Sequence, residues 1–313
     1  MRIAMMGTGP FAVPTLRALV GSSHQVVAVV TRPAAATRGN RRPPPNPMRA
    51  AATELNLPIL EPLSINTDEA CAELRALEAE LFVVCDYGQI LKGHVLEIAR
   101  YGGINLHGSL LPKYRGAAPV AWAIYHGESM TGNTVIQMTP GLDAGPILGQ
   151  CRTPIESDDT AATLEERLAE MGAPVVVEVV DALAAGTTAP VMQDASQATK
   201  APRLKKEDGL IDWSRSARAI ERQIRAFQPW PRSYCFVAAA KDDPLRLVIQ
   251  RATALSDTTD AAPGTILIAH KQLGIATGDG ILQLDEIQPA GKRAMSAEEF
   301  LRGHALAVGE VLE

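Results

Sequence analysis

Residues 2–31 read RIAMMGTGPFAVPTLRALVGSSHQVVAVVT. RIAMM is a short apolar run that ends at Gly7, and Pro10 is suited to the first turn of a helix. Phe11 to Leu19 then carries apolar residues at helical spacing, and QVVAVVT (25–31) is a continuous apolar run. Such a run, apolar on both faces, is the mark of a strand covered on both sides, which happens in parallel sheets. The alternation continues. Met48 to Leu55 is helical, LPIL is a short strand, residues 68–79 form a charged amphipathic helix, and LFVVCDY (81–87) is a second buried strand. Val95 to Ala99 is helical and GINLH (103–107) is a strand. The order β-α-β-α-β-α-β predicts an α/β fold, a parallel sheet with helices on both faces.

TVIQMTP (134–140) is a further strand, closed by the turn-rich GLDAGP, and Thr160 to Ala184 is strongly helical. Residues 186–208 hold few large apolar side chains. They separate a first domain, residues 1–189, through a linker at 190–208, from a second at 209–313. The second opens on a helix, Ala217 to Phe227. Five short runs follow, CFVAA, LRLVIQRAT, GTILIAH, LGIATGD and GILQLDEIQP, at about ten-residue spacing and broken by Gly and Asp turns. That spacing predicts a small β-barrel.

The chain has 313 residues with 46% hydrophobic and 21% charged, ordinary globular values that suit two domains. It contains no long uncharged apolar run and no signal-peptide pattern at its start, so no membrane association is expected. The cysteines, Cys71, Cys85, Cys151 and Cys235, lie far apart and show no metal-ligand spacing. Neither a metal nor a disulfide framework is therefore expected, and the compartment is cytoplasmic. Net charge is −5, yet residues 31–50 hold five arginines and no acid.

Two segments bear on chemistry. GTGPFA (7–12) matches a dinucleotide fingerprint, but the second strand ends Thr31-Arg32-Pro33 and lacks the acid that holds a ribose. The arginine keeps an NADP reading open. GINLHGSLLPKYRGAAPV (103–120) is sharper. Strand alternation puts Asn105 and His107 on one face. Both can donate to a developing oxyanion, and His107 can also move protons. No G-x-S-x-G elbow is present, which favours direct transfer over a covalent intermediate. Asp143, in GLDAGP, is a turn aspartate that orients the imidazole if its loop folds beside His107.

With INLHGSLLPKYRGAAPV followed by TVIQMTPGLDAGPIL, the chain resembles the folate-dependent formyltransferases. GTGPFAVPTL, IDWS (211–214), IRAFQPWPRSY (224–234), APGTIL, ATGDGILQL and QPAGKRAMSAEEF extend the likeness to nearly the full length. It is similar to the branch that acts on methionyl initiator tRNA. The resemblance implies a Rossmann-like formyltransferase domain followed by an OB-like β-barrel domain that contacts tRNA. It also implies 10-formyltetrahydrofolate as co-substrate, no metal and a monomer. Asn105, His107 and Asp143 match the family's catalytic set, and Ser109, Leu110, Leu111 and Pro112 its folate-binding turn. Arg38, Arg41 and Arg42 of the basic loop, Lys205 and Lys206 of the linker, and Arg218 and Arg222 of the helical stripe are the tRNA-binding candidates, although each is equally a solvated surface. Trp230 is a stacking platform for a base or, more commonly for such a corner, a packing residue. Cys85 and Asp86 depart from the pattern, and Asp86 has no assigned role.

Overall fold

The computed structural model describes residues 1–34, 46–237, 244–304 and 306–313. Arg38, Arg41 and Arg42 fall outside the described residues. Through residue 201 the chain forms β1 (Arg2–Met6), α1 (Val13–Val20), β2 (Gln25–Val30), α2 (Pro47–Glu54), β3 (Ile59–Leu60), α3 (Asp68–Ala76) and β4 (Leu81–Val84). Then come α4 (Gly93–Leu96), β5 (Gly103–His107), β6 (Arg115–Gly116), α5 (Pro119–His126), β7 (Met130–Gln137), β8 (Ile147–Pro154), α6 (Ala161–Ala185) and β9 (Lys200–Ala201). Two compact units result. The first comprises Met1–Pro119, Met130–Pro154 and Leu164–Pro202; the second comprises Val120–Ser129, Ile155–Thr163 and Arg203–Glu313.

The first unit is built on a seven-stranded sheet of order β3-β2-β1-β4-β5-β7-β8. β1 to β5 are parallel, as expected. β7 and β8 depart from that expectation, since both pairings are antiparallel. The turn between them is short, and a short connection can join only antiparallel neighbours. The apolar runs are continuous because both faces are covered. Ile3, Met5, Leu81 and Val83 enter the core under α1 and α2, while Ala4, Met6, Phe82 and Val84 enter the core on the opposite face. Burying each large side chain contributes roughly 1.5–3 kcal/mol. Thr67 caps α3 by accepting the Ala70 N–H. Strand order reverses between β1 and β4, the position at which open α/β sheets bind ligands.

The segment 190–208 divides at Pro202. Before it, Lys200–Ala201 pairs in parallel with β6, and Val191 bridges Ile147, so this part is hydrogen-bonded into the first unit.

The second unit continues with α7 (Ala217–Ala226), β10 (Ser233–Val237), β11 (Leu245–Leu255), β12 (Ile266–Ala269), β13 (Leu273–Ala276), β14 (Ile281–Pro289), β15 (Met295–Ser296) and α8 (Ala297–Gly303). The strands make an antiparallel sheet, β10-β11-β14-β13-β12, with β15 beside β14. Among the described residues β10 and β12 do not pair with each other. Residues 309–313 run between them: the Ile266 N–H donates to Glu310 O and the Phe236 N–H to Glu313 O. Ala217, Ile220 and Ile224 of α7 pack into the core of this unit with Trp213, Leu247 and Ile275.

Candidate active site

Ile104 and Leu106 of β5 belong to the core, which turns Asn105 and His107 to the other face. The two lie about 6.6–6.8 Å apart along the strand. His107 ends the strand and is 5% exposed. Its Nε2 is 2.9 Å from Tyr114 O, and a carbonyl only accepts, so Nε2 carries the hydrogen. Its Nδ1 faces Asp143 Oδ2 at 3.7 Å. The structure therefore brings His107 and Asp143 together. Asn105 is half-buried, and its amide makes no hydrogen bond among the described residues.

The loop carrying Asp143 is held from three sides. Asp143 Oδ2 accepts the Gly116 N–H at 2.8 Å. Gln193 Nε2 donates to Asp143 O and to Gly145 O, both at 2.8 Å, and Gln193 Oε1 accepts from Arg115 Nε and Nη2. Asp143 sits at φ +47°, a conformation Asp tolerates better than most residues. Gly145 runs so close to Gln137 O that a Cβ there would overlap the carbonyl, which explains the glycine in L-D-A-G.

The turn 109–112 is pinned to the β7–β8 hairpin through one hydroxyl. Thr134 Oγ1 donates to Ser109 O at 2.7 Å and accepts from the Leu111 N–H and from Gln150 Nε2. Ser109 Oγ donates to Lys113 O at 2.7 Å, and Gln150 also donates to Leu111 O. Ser109 and Leu111 are buried, while Leu110 and Pro112 are half-buried. Thr134, Gln150 and Gln193 do not stand out in the sequence, because each matters only through partners far away in the chain.

The glycine turn after β1 is occupied by the protein's own carboxylate. The Thr8 N–H donates to Asp86 O, and Thr8 Oγ1 donates to Tyr87 O at 3.0 Å. The Asp86 side chain takes the Gly9 N–H and lies against Gly9, where a Cβ would collide with it. An acid thus sits where a dinucleotide would bring its pyrophosphate, which removes the support for the NADP reading. Burial among protein atoms pushes the Asp86 carboxyl up to about 6. Burial, and then the charge of Asp86, push Glu165 of α6 to about 7. Both residues nonetheless keep substantial contact with solvent. Burial also raises the Cys85 and Cys235 thiols, so neither is a thiolate nucleophile. Among the described residues no cluster of three or more His, Cys, Asp or Glu could hold a metal ion.

The helical arginine stripe is largely occupied within the second unit. Arg215 lies before α7, over the Tyr125 ring, and donates to Gln223, while on the helix Arg225 donates to Asp159 O and Arg222 packs against Gly127. Arg218 is exposed, as are Lys205 and Lys206. Trp230 is 53% exposed. No helix among the described residues is long and apolar enough to cross a membrane.

The sheet order and the convergence of polar groups at its carboxyl edge are those of a Rossmann-like α/β enzyme. The chain belongs to the formyl transferase family: the family's N-terminal pattern, "Formyl transferase", matches residues 1–180, and "Formyl transferase, C-terminal domain" matches residues 203–305. It is 44% identical to the methionyl-tRNA formyltransferase of Methylococcus capsulatus, over 98% of each chain. Among solved structures it resembles WlaRD, a sugar 3N-formyl transferase in the presence of dTDP and 5-N-formyl-THF. That match has a TM-score of 0.67 and 18% identity, and covers 94% of this chain and 99% of that one. It also resembles HypX from Aquifex aeolicus in complex with tetrahydrofolic acid, with a TM-score of 0.63 and 17% identity. The match covers 99% of this chain and 48% of HypX, so the chain spans about half the length of that protein.

Proposed function

We propose that this protein transfers the formyl group of 10-formyltetrahydrofolate to the α-amino group of methionyl initiator tRNA, in the cytoplasm and as a monomer. The observation that carries the reading is the full-length match to a methionyl-tRNA formyltransferase, both family segments included.

The neutral methionyl amine attacks the formyl carbon. A new C–N bond forms, negative charge gathers on the formyl oxygen, and the bond from carbon to the folate nitrogen then breaks. The amine loses a proton and the leaving folate nitrogen gains one. Asn105, whose amide has no partner among the described residues, donates to the oxyanion. His107 is anchored at Nε2 by Tyr114 O and offers Nδ1–H from its imidazolium form, and Asp143 stabilises that cation. Removing one oxyanion donor typically costs roughly 2.7–4 kcal/mol of transition-state stabilisation. Holding the two substrates together supplies much of the rest. Ser109 to Pro112 form the folate-binding turn, kept rigid by Thr134 and Gln150.

We assign residues 1–189 to the catalytic domain, 190–208 to a linker and 209–313 to an OB-like tRNA-binding domain. The run of residues 309–313 between the sheet's two end strands supports a barrel. Lys205, Lys206, Arg218 and Arg222, together with Arg38, Arg41 and Arg42, are the proposed phosphate contacts. Phosphate contacts of this kind make affinity fall steeply with salt.

The test is an acceptor panel: the protein with 10-formyltetrahydrofolate and, separately, methionyl initiator tRNA, methionyl elongator tRNA, free methionine and a nucleotide amino sugar. Formylation confined to initiator tRNA is expected. Formylation of the sugar, or of nothing, overturns the assigned acceptor.

A further inference from the structure

The second unit contains a cavity of about 520 Å³ that involves none of Asn105, His107, Asp143 or the 109–112 turn. That volume lies in the range of small-molecule sites. Its walls include Lys206, Gln228, Trp230, Arg232, Arg246 and Gln250, and no carboxylate among the described residues lines it. None of the three cations forms an ion pair among the described residues. Arg246 lies 4.0 Å over the centre of the Tyr234 ring, and its buried Nε has no hydrogen-bond partner. Arg232 is held by a neutral group, donating from Nη1 to Gln288 Oε1 at 2.8 Å. Lys206 is exposed and makes no ion pair among the described residues.

The remaining wall is flat and aromatic. Trp230 is 53% exposed, and its ring stacks on no other ring among the described residues. Beside it the amides of Gln228 and Gln250 are fixed by their donors. Gln228 Nε2 bonds Gln250 O at 2.6 Å, and Gln250 Nε2 bonds Gln288 Oε1 at 3.0 Å. Their own Oε1 atoms remain as acceptors. Uncompensated cations call for an anion, an open indole face for a planar ring, and the two acceptors for amino groups on that ring's edge. An acidic peptide satisfies only the first of these; a nucleotide satisfies all three.

We infer that this pocket takes one unpaired nucleotide of the acceptor tRNA, its base over Trp230 and its phosphate at Arg246 and Lys206. The inference rests on the tRNA reading above and adds a specific contact to it. The periodic arginines of α7 do not predict this site, because Arg246 and Arg232 come from elsewhere in the chain.

The experiment uses the full-length protein in two arms. In the first, adenosine 5′-monophosphate, adenosine and inorganic phosphate are titrated separately while tryptophan fluorescence is followed. Saturable quenching by the monophosphate is expected. It should be several-fold weaker for adenosine, absent for phosphate alone, and lost in Trp230→Leu. In the second arm, formylation kinetics are measured. Trp230→Leu should raise the KM for methionyl initiator tRNA by roughly five- to a hundred-fold, the range of a single base–aromatic stack. Its kcat and its KM for 10-formyltetrahydrofolate should stay unchanged, and Trp230→Phe, which keeps a stacking face, should restore most of the loss. An unchanged KM for tRNA in Trp230→Leu overturns the inference. If the monophosphate still quenches the wild type, the pocket serves a free nucleotide instead. Equal affinity for adenosine and its monophosphate overturns the assigned phosphate contacts. A wild-type protein that formylates no tRNA refutes the functional reading, and the quenching arm is read independently of it.

Discussion

Replacing Asp143 by asparagine changes the charge beside His107 and almost nothing else. Asp143 Oδ2 and His107 Nδ1 are 3.7 Å apart, with side chains 14% and 6% exposed. At an effective dielectric of about 20, a unit pair at that separation attracts by about 4–5 kcal/mol. Only the part that grows as the imidazolium meets the oxyanion affects the rate. A loss of about 3–4 kcal/mol corresponds to roughly 10²–10³ in kcat. Asparagine still accepts the Gly116 N–H through Oδ1, so the loop and the fold remain. The assay is steady-state formylation of methionyl initiator tRNA, with both KM values and a thermal melt on the same preparation. Expected are a kcat lower by roughly 10²–10³, KM values within about three-fold of wild type and an unchanged melting temperature. Asp143→Ala should lose as much activity and also some stability, because the Gly116 N–H then lacks its acceptor. An Asp143→Asn enzyme within ten-fold of the wild-type kcat, with an intact melt, refutes the electrostatic role.

Three further outcomes are open to measurement. Asn105→Ala should lower kcat by about 10²–10³ while leaving the melting temperature unchanged, since the amide bonds no other described residue. Thr134→Val deprives Ser109 O, the Leu111 N–H and Gln150 of a shared partner, at a cost of about 2–4 kcal/mol, and frees the 109–112 turn. Calorimetry should show the lower stability, and kinetics a raised KM for 10-formyltetrahydrofolate. Glu165, with its pKa raised to about 7, favours the protonated folded state. Its contribution to stability is complete below its unfolded pKa and lost as pH rises through 7. Glu165→Gln should therefore exceed wild-type stability at pH 8 and match it near pH 4.5. The gain should be only about 1 kcal/mol, because solvent reaches Glu165 and screens its charge. Equal melting temperatures at pH 8 would count against a Glu165 carboxyl held up by burial and by the charge of Asp86.

Much of this architecture is legible in the sequence, and the exceptions share a cause. The runs around Ile3–Met6 and Leu81–Val84 announce strands covered on both faces, and alternation alone puts Asn105 beside His107. β8 escapes such a reading, since ILGQCRTP is half-exposed along most of its length and has no clean period. α7 shows the opposite failure. Its arginines, Arg218, Arg222 and Arg225, keep helical spacing, yet Gly127 and Asp159 arrive from remote segments and cover two of them. Gln193 is invisible for the same reason: an unremarkable residue in a polar stretch becomes the clasp of the Asp143 loop only when the fold returns it there. Local pattern carries the elements, whereas hydrogen-bond partners separated by fifty residues must be read from the structure.

The position of residues 309–313 bears on how the protein is made. β12 and β10 have both left the ribosome long before the segment that runs between them. During synthesis the C-terminal sheet therefore presents two raw strand edges, the situation in which chains pair with their neighbours. Those edges stay open until Glu313 clears the exit tunnel and exchanges hydrogen bonds with Phe236. The same geometry governs the placing of an affinity tag, because any extension past residue 313 has to leave the sheet at its last seam to close.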